Sequence, residues 1–211
     1  MTARFFTKRE AGGVAAQGLP LLVGVAALTF SALYFLSDLI ELVQGRFSTP
    51  QLALTLVAEA AIPVFVIGLY VVQRPRMRLL GLIGALGYAS SFVCFTGTVL
   101  FAMVNRTSDW AALSDRLGAW VLVPGAVMVL AGSAFGLAVI RADVLPRWTG
   151  VALIVGVVLV GTASALPEIA QTAAAGVRDL ALAGMGGSLL SARRAAGPAR
   201  HPNRDLAVMT R

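Results

Sequence analysis

The stretch QLALTLVAEAAIPVFVIGLYVV (residues 51–72), then QRPRMR (73–78), then LLGLIGALGYASSFVCFTGTVLFAM (79–103) decides the fold. Two apolar runs flank a short linker that carries Arg74, Arg76 and Arg78. Each run is near the roughly 20 residues a helix needs to cross about 30 Å of hydrocarbon. Both are continuous rather than alternating, and both exceed the roughly 9–11 residues of a membrane strand, so strands are excluded. The segment predicts two membrane helices joined by a basic loop.

The same pattern extends in both directions. Spans are expected at about 19–43, 51–72, 79–103, 117–140, 148–166 and 170–192. The first follows Arg4, Lys8 and Arg9, which raises a signal peptide. A secretory apolar region is only about 7–15 residues long, so an uncleaved first helix is expected instead. The sixth span is the weakest, because Arg178 and Asp179 interrupt it and the apolar part that follows covers roughly 20 Å. Crossing requires Arg178 to snorkel to the interface beside Asp179; an interfacial helix is the alternative. The fold class is therefore all-α, a polytopic transmembrane bundle of six spans. Residues 1–18 form a basic N-terminal segment, 19–192 the bundle, and 193–211 an Ala/Gly/Pro/Arg-rich tail expected to be disordered against anionic lipid.

Composition agrees. The chain has 211 residues, 58% hydrophobic and 13% charged, with mean hydropathy +0.83. A soluble domain carries about 25% charged residues, so lipid must be the solvent for most of this surface. An excess of basic residues, 17 against 10 acidic, is also a mark of nucleic-acid binding, but here the cations sit at loop ends rather than in a stripe. With both termini in the cytoplasm, 13 of the 17 cations fall inside, leaving Arg46, Arg106, Arg116 and Arg178 outside. Asp109, Asp115, Glu168 and Asp179 also fall outside. The expected location is a bacterial cell membrane, with anionic inner-leaflet lipids against the arginine loops.

Cys94 is the one cysteine and His201 the one histidine, so no internal disulfide, zinc cluster or bis-histidine haem is expected, and no metal or cofactor is assigned. Cys94 reads as an inert core thiol.

Hydrophobic burial cannot hold helices together when lipid is equally apolar, so small residues must let backbones approach. Gly132-x-x-x-Gly136, Gly81-x-x-x-Ala85-x-x-x-Ala89 and Ala152-x-x-x-Gly156 supply such seams. They serve packing within the chain or, alternatively, a homodimer or partner membrane protein. Trp110, Trp120, Trp148 and Tyr70 fall at expected interfaces and read as an aromatic belt.

Chemistry near the bilayer is confined to few residues. Asp38 and Glu41 share a face of the first helix with Ser31 and Tyr34. Asp38 lies about 7 Å in from the end of that span, and Glu59 of the antiparallel second helix roughly 12 Å in. The three carboxylates thus belong to the outer half of the bundle. Pro63 has no N–H, so the Glu59 carbonyl loses its helical partner, and one position offers both a carboxyl and a free backbone acceptor. An intramembrane carboxylate is a functional hypothesis by default; the bland alternative is a neutral Glu59 bonded to Tyr34, Ser90 or Ser91. For Asp38 and Glu41 the bland alternative is a solvated helix end. Glu59 and Asp38 are the candidate catalytic groups, and Tyr34, Glu41, Tyr88, Phe92 and Phe95 the candidate substrate contacts.

In its Ala/Gly/Arg-rich style and in segments such as Tyr70-Val71-Val72-Gln73-Arg74-Pro75, the chain resembles small six-helix membrane proteins of high-G+C Gram-positive bacteria that carry no assigned role. Through Glu59 and Asp38 it is more faintly similar to small membrane-bound terpene cyclases, which use embedded carboxylates as proton donors. Three roles follow as expectations. They are an accessory or partner subunit, a terpene-cyclase-like enzyme on an isoprenoid or lipid, and a proton- or cation-coupled carrier.

Overall fold

The computed structural model describes residues 7–162 and 167–195. The extreme N-terminus, the end of the expected fifth span at 163–166 and the tail from 196 lie outside the described residues. Among those described, all regular structure is helical: α1 (Thr7–Gln44), α2 (Thr49–Asn105), α3 (Trp110–Leu117), α4 (Ala119–Ala142), α5 (Arg147–Thr162) and α6 (Glu168–Ala195). Three helices are long and apolar enough to cross a membrane: α1 from Gly18, α2 and α4. Helix α5 is a shorter apolar helix of 16 residues.

Helix α2 is a hairpin of two limbs. In a straight helix Glu59 and Phe92 would stand about 50 Å apart at 1.5 Å per residue. Both instead meet Tyr34, Glu59 through a hydrogen bond and Phe92 through ring contact. Leu52 likewise packs with Val99 and Ala102. The reversal falls at Arg78, whose φ of 49° and ψ of −161° interrupt the helix three residues after Pro75. An arginine in this nearly glycine-only region costs about 1–3 kcal/mol. The limbs, 49–77 and 79–105, contain the second and third expected spans; the expected basic loop at 73–78 is instead helical as far as Met77, with the break confined to Arg78.

The other boundaries follow local chemistry. Helix α1 begins earlier than the expected residue 19 and ends at Gly45, which takes a left-handed φ of 63° while its N–H bonds the Glu41 carbonyl at 2.8 Å. Ser48 and Pro50 then open α2. Helix α3 was not expected. Its signal is Asp109, which accepts the Ala112 N–H at 2.9 Å as an N-cap, and Leu113, buried on Leu52, Val99 and Ala102. The fourth helix accordingly starts after Gly118 rather than at Leu117.

Neighbouring helices form a closed ring: α1 on α2, α2 on α4, α4 on α5, α5 on α6, and α6 back on α1. Tyr88, Phe65, Phe92, Phe135, Leu153 and Met185 fill the middle, whereas Leu22, Val64, Leu79, Leu100, Leu122 and Leu130 point outward. An apolar exterior of this extent suits lipid rather than water. Small residues set the crossings. A Cβ on Gly136 would stand 2.7 Å from the Gly150 carbonyl oxygen, so α4 and α5 touch backbone to backbone. On Gly156 it would stand 2.5 Å from the Arg178 nitrogen, which brings α6 against α5 at that arginine. The expected seams at Gly132/Gly136 and Ala152/Gly156 are thus occupied within the chain. Cys94 is exposed, which corrects its reading as a core thiol: it sits on the outward side of the second α2 limb, next to outward-facing Val93.

Candidate functional site

A chamber of about 560 Å³ opens at the end of the bundle where the α1–α2 turn meets α3. The Phe47 N–H, bonded to the Ser108 carbonyl at 2.7 Å, ties those two connections together. One wall is polar and comes from α1, the first α2 limb and α6: Tyr34, Asp38, Glu41, Glu59, Glu168 and Arg178. The facing wall is apolar and comes from the second limb, α3, α4 and α5, with Phe95, Val99, Leu113, Val129 and Val160.

The polar wall is braced by buried Gln51. Its Nε2 donates to Glu41 Oε2 at 3.1 Å and sits near Thr55 Oγ1 (3.2 Å) and Ser37 Oγ (3.3 Å). The Ser37 hydroxyl also donates to the Gln51 carbonyl at 3.2 Å. This network pins α1 to α2 and fixes where Glu41 points.

Deeper in, the Tyr34 hydroxyl donates to Glu59 Oε1 at 2.7 Å. The other Glu59 oxygen is buried and has no hydrogen-bond partner. The Arg178 guanidinium stands 4.6 Å from the Tyr34 ring centroid and 5.7 Å from that of Phe92, close enough for cation–π attraction. Its Nε donates to Asp179 Oδ1 at 2.9 Å, while Arg178 Nη2 and Asp179 Oδ2 lack partners. Asp38 lines the same wall, with Glu41, Glu59 and Arg178. Pro63, one turn beyond Glu59, removes the N–H that its carbonyl would otherwise accept.

Of the residues singled out in the sequence, Tyr34, Asp38, Glu41, Glu59 and Phe95 line the chamber. Tyr88 and Phe92 do not; they stand behind it as fully buried rings, with centroids 5.0 Å apart, and Phe92 meets Phe95 at 5.7 Å. Ser90, Ser91, Thr96 and Thr98 satisfy carbonyls of their own helix and leave Glu59 to Tyr34. Among the described residues, no three of His, Cys, Asp or Glu come close enough to hold a metal ion.

Arg178 is the principal correction. Its side chain does not snorkel outward; it is 4% exposed and turns into the bundle with Asp179, itself 3% exposed. An adjacent Arg–Asp pair in an apolar run is a signal for an inward-facing pair, because charges in membrane helices face the bundle interior. Glu168 and Trp110 at the chamber mouth carried no comparable signal. No protein-family model matches the chain, no curated protein matches it, and no solved structure matches it.

Proposed function

We propose that the chain is a six-span bacterial cell-membrane protein with both termini in the cytoplasm, and that its outer chamber binds an amphiphile bearing a cationic head. The six passes are α1, the two limbs of α2, α4, α5 and α6. The orientation is supported by charge: Arg74, Arg76, Arg78, Arg141 and Arg147 cluster at one end, while Glu41, Asp109, Asp115 and Glu168 belong to the other.

The observation that carries the ligand class is the charge on the chamber wall. Four carboxylates, Asp38, Glu41, Glu59 and Glu168, line it against one guanidinium, Arg178, and Arg178 is already matched by Asp179. A cation in the chamber favours the ionised form of these acids and is held by it, and the aromatic rings of Tyr34, Phe95 and Trp110 suit an organic one. The opposite apolar wall accommodates the ligand's hydrocarbon. The size falls in the range of small-molecule sites, about 300–1,000 Å³. This role is a binding protein or a cation-coupled carrier. The accessory-subunit role draws less support, since the small-residue seams are filled within the chain.

A second reading rests on the unpartnered Glu59 oxygen in a chamber that Phe95 also lines. A protonated Glu59 there is suited to act as general acid on an apolar isoprenoid, as in a terpene-cyclase-like enzyme.

The test is equilibrium binding of tetraphenylphosphonium to the full chain in lipid nanodiscs, with empty nanodiscs subtracted. Glu59→Gln keeps an acceptor for Tyr34 and so preserves the fold. It is expected to weaken binding about tenfold, the equivalent of roughly 1.4 kcal/mol. Unchanged affinity in both Glu59→Gln and Asp38→Asn sinks the cation reading, and product formation from an isoprenoid that Glu59→Gln abolishes favours the enzyme.

A further inference from the structure

The opposite end of the bundle holds a second cavity of about 460 Å³. Arg76 and Arg78 reach it from the α2 reversal and Arg141 from the last turn of α4, over a floor of Met77, Ala138 and Ala142. Its lining includes no carboxylate. Among the described residues the ion pairs are Arg147–Asp143 and Arg178–Asp179, so none of the three arginines is paired. Asp143, the acid nearest Arg141 in sequence, is engaged by Arg147 at 3.0 Å. The three arginines are exposed and gather around one space with no acid among them.

Arg78 contributes a second, independent observation. It takes φ 49° and ψ −161° at the reversal, a backbone that glycine adopts freely and arginine rarely. Glycine would serve the turn better, so the side chain at this position answers a different requirement. Such outliers gather at ligand clamps.

We infer that this cavity binds a phosphate or phosphodiester group. Guanidinium forks match phosphate oxygens in pairs, and three of them supply the charge to neutralise one phosphate. Leu79 and Ile83, next along the chain and outward-facing, offer an apolar track beside the cavity for acyl chains. That favours a lipid headgroup over free phosphate. The site is independent of the outer chamber.

The test uses the full chain in neutral detergent and phosphate-free buffer, with thermal unfolding followed during titration. Phosphatidylglycerol is expected to raise Tm saturably, by about 5–10 °C at a hundredfold excess over its Kd. Phosphatidylcholine is expected to have no such effect, and Arg76→Gln combined with Arg141→Gln to remove the response. Saturable stabilisation by inorganic phosphate as well assigns a free-phosphate site; a response to phosphatidylglycerol alone assigns a lipid headgroup. Arg78→Gly guards against a folding defect, because glycine fits the reversal without strain: it is expected to fold at least as stably and still lose most of the response. Equal shifts with phosphatidylcholine, no shift with any of the three, or a full response in these variants overturns the inference.

Discussion

The guanidinium carbon of Arg178 lies 4.6 Å from the ring centroid of Tyr34, and the Tyr34 hydroxyl in turn donates to Glu59 at 2.7 Å. One aromatic ring thus links the chamber's cation to its deepest acid, using α6, α1 and α2 in turn. Arg178 lets carboxylates gather where several would otherwise repel. Asp179 takes part of its charge, and the chamber wall carries four further acidic side chains, Asp38, Glu41, Glu59 and Glu168.

Because the Arg178–Asp179 pair is buried, removing one partner costs more than removing both. Arg178→Leu leaves the Asp179 carboxylate unpaired and is expected to destabilise by about 3–5 kcal/mol. The double change Arg178→Leu/Asp179→Leu is expected to recover most of that loss, as apolar replacements of buried pairs are often neutral. Denaturation in detergent measures both; a double variant as damaged as the single would contradict the pairing.

Tyr34→Phe separates the ring from its hydroxyl. The face beneath Arg178 remains, while Glu59 loses its donor, so a loss of about 1–3 kcal/mol is expected. Tyr34→Leu removes the cation–π contact as well and is expected to lose more. Equal stability of the Phe and Leu variants would show that the ring adds nothing to holding Arg178.

Gly156 sets the position of Arg178, since an added Cβ would meet the arginine's backbone nitrogen at 2.5 Å. Gly156→Ala is expected to destabilise by about 1–3 kcal/mol by forcing α6 outward. Gly97 has nothing within 4 Å of its would-be Cβ, so Gly97→Ala serves as a neutral or slightly stabilising control. Thermal unfolding of the two variants side by side checks this.

Helix α3 depends on its cap. Asp109→Ala is expected to cost about 0.5–2 kcal/mol locally, seen as faster amide exchange over residues 112–116. The Ala112 N–H, helped by the Ser108 hydroxyl, holds the Asp109 carboxyl below its usual range. A depressed folded pKa means that this stabilisation is full above the unfolded value of about 3.9 and is lost as pH falls through the folded value. Exchange in α3 is therefore expected to quicken only in acid, beyond the intrinsic pH dependence of exchange, and that acid-specific change should vanish in Asp109→Ala.

The two helical limbs of α2 were legible because 73–78 breaks two long apolar runs, a signal that packing does not alter. Tyr34, Asp38 and Glu41 were legible by helical spacing, which puts them on one face. Glu59 was legible because an acid in an apolar run stands out. Helix α3 was hidden because its length is short and its burial rests on Leu113 alone. Arg178 was misread because the sequence offers two refuges for a charge in a span, the interface and the bundle interior. Only the contacts of Tyr34, Phe92 and Gly156 select the second.

The most direct test of the chamber's chemistry compares two probes of one shape and opposite charge. Binding of tetraphenylphosphonium and of tetraphenylborate to the full chain in neutral-lipid nanodiscs, each corrected with empty nanodiscs, isolates the sign of the site. Saturable binding of the phosphonium at least tenfold tighter than the borate, lost in Asp38→Asn/Glu59→Gln, is the predicted result. Equal affinity for both, or tighter binding of the borate through the free nitrogen of Arg178, would contradict it.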